Sequence, residues 1–232
     1  MVLIAVHGRA VVRLAAERGT VLLAVDGEHE DRATALERVA ALHERLSQEA
    51  QAFVDAGAAS RWSSDQVQVR AEHRHDGPQE TRRLVQVAAA RLEVRFRDLD
   101  ALSAWVQRIG AEPGVAVHGV DWSVTDAARA AAERAAREGA VRDAVERARD
   151  YASAAGAGEP VLTAVWEEGL RPAAVRSDSG WVAQSKSARL DGISALVLRP
   201  DAIDVSASIT ADFEVDGADP SASRPPIPRS TA

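Results

Sequence analysis

Between Asp126 and about Ala155 the chain offers a helix one stripe made almost entirely of small residues: Ala128, Ala131, Ala135, Val141, Ala144, Val145, Ala148, Tyr151 and Ala155. Thr125 or Asp126 caps its start, Gly156 and Gly158 stop it, and Pro160 prevents resumption. Glu133/Arg137, Glu138/Arg142 and Asp143/Arg147 are acid-to-base pairs four apart on the opposite side; each adds only a few tenths of a kcal/mol. Gly139 costs about 1 kcal/mol relative to alanine. Such a helix is rich in good helix formers but has few large apolar groups to bury. Its small-residue stripe is suited to close packing on a sheet.

Strands are abundant around it. Residues 2–14 and 19–27 both read as strands, separated by Ala15-Ala16-Glu17-Arg18-Gly19, and their short link predicts a hairpin. Residues 65–75 alternate, with Val67, Val69, Ala71 and His73 on one face, and Asp76-Gly77-Pro78 signals a turn. In the following strand, from about Arg83 to Arg97, Val85 and Val87 are odd whereas Leu92, Val94 and Phe96 are even. That phase change predicts a β-bulge near Ala88–Ala90 in a long bent hairpin. Val115–Val124, Val161–Trp166 and Ile203–Val215 complete the strands, the last with a clean alternation of Val205, Ala207, Ile209, Ala211 and Phe213.

Two further helices are legible. Residues 31–57 carry Leu36, Val39, His43, Leu46, Ala50, Phe53 and Val54 at helical steps, with Asp31 as N-cap and Gly57 just past the end. Asp98-Leu99-Asp100 opens a short helix through Ile109, carrying Leu102, Trp105 and Val106. The predicted order is ββαββαβαββ. It specifies an α+β fold: a mainly antiparallel sheet with long hairpins, packed against two long helices and one short helix. Both long helices are expected on one shared sheet surface. Residues 167–200 read as a long loop, 1–216 as one domain and 217–232 as a disordered Pro-rich tail.

Composition narrows the function classes. The absence of cysteine removes disulfides, thiolate metal sites and thiol nucleophiles. A net charge of −7 argues against a nucleic-acid binder. The opening apolar run stops at His7, too short for a signal peptide, and no stretch approaches a membrane span, so a cytoplasmic protein is expected.

Chemistry-bearing patterns are sparse. His73 and His75 lie two apart on a strand, on one face, with Asp76 at the turn and Glu28-His29-Glu30-Asp31 able to supply a third ligand; this makes a metal- or small-ligand-binding hairpin the alternative reading. His43, on the apolar stripe of its helix, reads as packed. Ser63, Ser64, Ser185 and Ser187 fall in loop-like stretches without a nucleophile-elbow sequence, Glu167-Glu168 reads as solvated, and no phosphate-binding glycine motif occurs. No residue is therefore assigned as catalytic, cofactor-binding or metal-binding, and no cofactor is expected. Trp105 and Trp122 read as core; Trp62 and Trp181, in polar segments, are candidate contact residues.

Four stretches in order resemble the SIMPL-domain (DUF541) family. They are His7-Gly8-Arg9-Ala10-Val11-Val12, the strand-to-helix passage Leu92–Leu102 with its Asp98-Leu99-Asp100, the Ala-rich helix end Ala140–Gly156, and the closing strand Ile203–Val215. The opening hairpin carries Ala16-Glu17 where the family usually has Pro-Asp, and Val85-Gln86 stands near its common Gly-Tyr. The resemblance implies no catalytic residue set. Among the family's relatives a mammalian one is a signalling adaptor and some bacterial ones assemble into rings. The expected protein is therefore non-enzymatic, acting through protein–protein contacts and self-assembling into a homo-oligomer, and the long hairpin and the 167–200 segment are the expected contact elements.

Overall fold

A computed structural model describes residues 1–76, 81–167, 169–171 and 198–216. The elements run β1 (Val2–Leu14), β2 (Arg18–His29), α1 (Arg32–Asp55), β3 (Ala59–Ser64), β4 (Gln68–Asp76), β5 (Thr81–Phe96), α2 (Leu99–Ile109), β6 (Val115–Ser123), α3 (Asp126–Ala154), β7 (Val161–Glu167) and β8 (Ile203–Val215). The fold is α+β, with antiparallel strands and, among the described residues, three helices. The strands form two sheets, β1-β8-β7 and β3-β5-β2-β6 with β4 also on β5. Two compact units correspond to them, one built on β1, α3, β7 and β8, the other on β2 to β6 with α1 and α2.

The five-stranded sheet is organised by β5. One edge of β5 pairs with β2 over Gln86–Phe96 without a break. The other edge holds β4 against Thr81–Ala89 and β3 against Leu92–Phe96, so β3 and β4 lie end to end. Ala88, Ala90, Leu92, Val94 and Phe96 of β5 are buried with Val21, Leu23 and Val25 of β2 under α1 and α2. Phe53, Phe96 and Trp105 form the centre, with ring centroids 5.1–5.8 Å apart. Helix starts are fixed locally: Asp31 accepts from the Thr34 N–H, and Asp98 accepts from the Asp100 and Ala101 N–H groups. Gly57, at φ +76°, supplies the left-handed residue after α1.

In the three-stranded unit, α3 buries Ala132, Ala136, Ala140, Ala144, Ala148 and Ala152, spaced by four throughout. Such a row is inclined by about 26° to the helix axis, and it crosses β1 where both backbones are bare. A Cβ on Gly8 would lie 2.0 Å from the Ala140 carbonyl oxygen and 2.8 Å from the Ala144 Cβ, and one on Gly139 would lie 2.7 Å from the Ala10 Cβ. Val6, Ile209, Ala211 and Phe213 fill the rest of this core. His7 Nδ1 meets Thr210 Oγ1 at 3.1 Å, and Arg13 Nε meets Asp204 Oδ1 at 2.9 Å. Six residues forward on β1 thus match six backward on β8, an antiparallel register.

Several expectations are corrected. The β1–β2 hairpin does not form: β1 pairs with β8, and β2 pairs with β5 and β6. The link is pinned elsewhere, because Glu17 donates its N–H to the Ser123 carbonyl at 2.9 Å and accepts from the Thr125 N–H at 2.7 Å. The two long helices do not share a sheet; α1 packs on β2 to β5 and α3 on β1. The bulge near Ala88–Ala90 is absent, since β5 keeps continuous registers with both β2 and β4. Val85 and Val87 are buried on one face and Ala88 onward on the other, so the phase change marks a change of covered face. β3 is an additional strand, making the order ββαβββαβαββ. On α3, only Ala144 and Ala148 of the expected stripe belong to the buried row, and Tyr151 is exposed. On α1, Leu36 is exposed. Most of the 167–200 segment, the turn at Gly77-Pro78 and the 217–232 tail lie outside the described residues.

Candidate contact surfaces

Each surface inherits its chemistry from the strand that presents it. β4 and β5 form the expected antiparallel hairpin; its register sets His73 opposite Leu84 and His75 opposite Arg82, with His73 in the open. Around His73 the charges are neutralised in pairs: Arg74 with Glu28 at 3.0 Å, Arg70 with Glu72 at 2.6 Å and Arg83 with Glu30 at 3.3 Å. The side chains of His75 and Asp76 lie outside the described residues, among which no three of His, Cys, Asp and Glu come together as a metal-holding set. His43 is packed as expected, and its Nε2, with the Ser47 Oγ one turn on, is buried without a hydrogen-bond partner among the described residues.

Ser63 and Ser64 end β3, and with Asp65 and His118 they line a hollow on the face of the five-stranded sheet opposite α1. Among the described residues no hydrogen bond joins either hydroxyl to His118, or His118 to Asp65. Ser185, Ser187 and Trp181 lie outside the described residues. Trp62 is half-buried against the core and donates from Nε1 to Gln51 at 2.9 Å, so it is not a free aromatic contact. Trp105 is buried as expected, and Trp122 packs on the same core in part.

Glu49 joins α1 to α2. It accepts from Trp105 Nε1 at 2.9 Å and from Arg108, whose guanidinium also approaches Glu112, which in turn meets Arg45 at 2.5 Å. Burial pushes the Glu49 carboxyl up, but the Trp105 and Arg108 hydrogen bonds and the Arg108 and Arg45 charges outweigh it and hold it below the ordinary range. A depressed carboxyl stabilises the fold above its unfolded pKa, and that stabilisation is lost as pH falls through the folded value. We therefore expect the urea midpoint to drop on acidification through the glutamate range. Glu49→Gln should be less stable than the parent at neutral pH and less sensitive to acid; equal acid sensitivity would contradict this linkage.

The apolar surface is concentrated on the three-stranded sheet. Of the eleven exposed large apolar residues among the described ones, six lie on its two edge strands: Val2, Leu3 and Val11 on β1, and Val161, Leu162 and Val165 on β7. The edges differ. On β1 the Arg9 N–H donates to Asp143 Oδ2 of α3 at 2.8 Å, and Arg147 holds that carboxylate at 2.9 Å. Burial raises the Asp143 carboxyl, but these two donors lower it further, leaving it below its ordinary range. One edge amide of β1 is thus occupied from within. On β7, Leu162 and Val165 pair with Phe213 and Ala211 on the helix-covered side, yet stay 41% and 44% exposed. Sequence reading missed this surface, because the apolar residues of a short strand read equally as core.

No helix among the described residues is long and apolar enough to cross a membrane. The search of curated proteins returns no match. A family model described as SIMPL, a protein of unknown function (DUF541), matches residues 4–213, from within β1 to near the end of β8. With nearly all of both sheets and the three described helices inside that match, the chain belongs to the SIMPL (DUF541) family.

Proposed function

We propose that the protein is non-enzymatic and works through protein–protein contacts, its first partner being a second copy of itself. The observation that supports this is the concentration of exposed apolar side chains on β1 and β7. Exposed apolar strand edges are normally blunted by charge or covered, because unpaired N–H and C=O groups template pairing with another chain. β7 has Pro160 before it and Glu167 at its end, but its middle, Leu162 to Trp166, carries no charge. Strand addition at β7 would satisfy its backbone and cover Leu162 and Val165 together.

Light scattering on the full chain tests this. The parent protein is expected to form a discrete oligomer that dissociates on dilution. Val161→Lys with Val165→Lys is expected to leave the monomer folded and unassociated. A parent that stays strictly monomeric at high concentration would defeat the reading, as would a double variant that associates equally well.

A further inference from the structure

The face of the five-stranded sheet opposite α1 carries, beside Arg91 and Glu93, a feature that self-association does not use. Two irregularities flank β2 and β5 at the same level. On one side the β2–β6 ladder shifts between Leu22 and Leu23, whose partners are Gly119 and Val117, leaving His118 as the extra residue of a bulge. On the other, β3 ends at Ser64 and β4 begins at Gln68, and the Asp65 N–H bridges the gap by donating to the Arg91 carbonyl at 3.0 Å. Bulges re-aim side chains and concentrate beside functional sites.

Between these irregularities lie two hollows of about 420 and 330 Å³. Asp65, Arg91 and His118 line both, so the hollows join into one groove. Polar side chains stand at both ends of the groove, and the ends differ. Glu93 with the hydroxyls of Ser63 and Ser64 lines one end; Arg70 with Gln66 and Gln68 lines the other. Among the described residues, the side chains of Asp65, Arg91 and His118 make no hydrogen bond or ion pair. Glu93 has only Arg61, at 4.0 Å, while Arg70 is engaged by Glu72. On a chain of net charge −7, an arginine without a carboxylate partner is an open anion site beside an equally open carboxylate.

From this we infer that the groove binds a small zwitterion of dipeptide size. Its ammonium lies toward Glu93 and Asp65, and its carboxylate is held by Arg91 with His118 toward the Arg70 end. A simple anion would meet Asp65, and a simple cation would meet Arg91; only a ligand carrying both charges satisfies both. The hollow sizes suit a dipeptide, since small-ligand sites span about 300–1,000 Å³.

Nitrogen-15 NMR titration of the full chain with L-alanyl-L-alanine tests this. The dipeptide is expected to shift the amide signals of Ser63 to Gln68, Arg91, Glu93 and His118. N-acetyl-alanyl-alanine, lacking the ammonium, and alanyl-alanine amide, lacking the carboxylate, are each expected to bind about tenfold more weakly, the loss of one charge-assisted contact. Arg91→Gln and Asp65→Asn, both on the exposed face, should each weaken the dipeptide by about tenfold with unfolding midpoints unchanged. No shift at these residues at saturating dipeptide overturns the proposal. So do blocked dipeptides that bind as well as the free one, or dipeptide affinities unchanged in both variants. The readout does not depend on self-association, because the groove lies on β2 to β6 and the association edges on β1 and β7.

Discussion

Replacing Gly8 with valine is expected to destabilise the three-stranded unit more than any other single change on its surface strands. The first carbon added would sit 2.0 Å from a backbone oxygen of α3, so neither helix nor strand can yield by rotating a side chain. Overpacking a close contact ordinarily costs about 1–3 kcal/mol, and a backbone clash belongs at or above the top of that range. At about 3 kcal/mol the thermal midpoint should fall by about 6–12 °C in a chain of this size. Ala144→Gly should not rescue it, because the nearest obstacle is the Ala140 carbonyl rather than the Ala144 methyl. Ala5→Val, on the exposed face of the same strand, should stay within about 0.5 kcal/mol of the parent. Scanning calorimetry on the three variants checks the set; a Gly8→Val protein as stable as Ala5→Val would mean that α3 does not approach β1 as described.

The second large effect is expected at Trp105→Ala. The indole is 2% exposed, touches the rings of Phe53 and Phe96, and donates to Glu49. Removing it should cost about 3–5 kcal/mol, the usual range for truncating a buried aromatic. Trp105→Phe separates the contributions: most of the ring packing stays, the Nε1 donor goes, and the loss should be about 1 kcal/mol. Urea denaturation reads both. If Trp105→Phe cost as much as Trp105→Ala, the hydrogen bond to Glu49 would outweigh the ring contacts and the packing account would be wrong.

These two sites show what the sequence made legible. Trp105 stands in a strongly periodic helix opened by Asp98, and both its burial and the cap follow from the pattern. Asp31, Gly57 and the alternation of β8 were readable for the same reason: each is a local rule satisfied by local residues. Gly8 was not readable. On α3 nearly every face offers alanine, so hydrophobic period cannot choose among them; the choice is made by two glycines, Gly8 and Gly139, where strand and helix approach too closely for a side chain. β3 escaped because Ser60, Arg61, Ser63 and Ser64 carry no strand pattern, and pairing with Leu92–Phe96 holds them instead. The β1–β2 hairpin was expected from proximity in sequence, yet Glu17 ties the link to the end of β6 and sends the two strands to different sheets. Val85 and Val87 mimicked a bulge because a strand covered first on one face and then on the other alternates with the same slip as one carrying an extra residue. The groove was invisible for a related reason: Asp65, Arg91 and His118 are far apart in sequence, and only the β6 bulge and the β3–β4 gap bring them to one place.

The proposed function requires that β7, an edge strand among the described residues, is covered by a second copy. Amide hydrogen exchange of the full chain, measured at low and high protein concentration, addresses it residue by residue. The account requires residues 161–167 to become protected as concentration rises, while β5, paired on both edges, exchanges equally slowly throughout. Exchange in 161–167 that is fast and independent of concentration would contradict it.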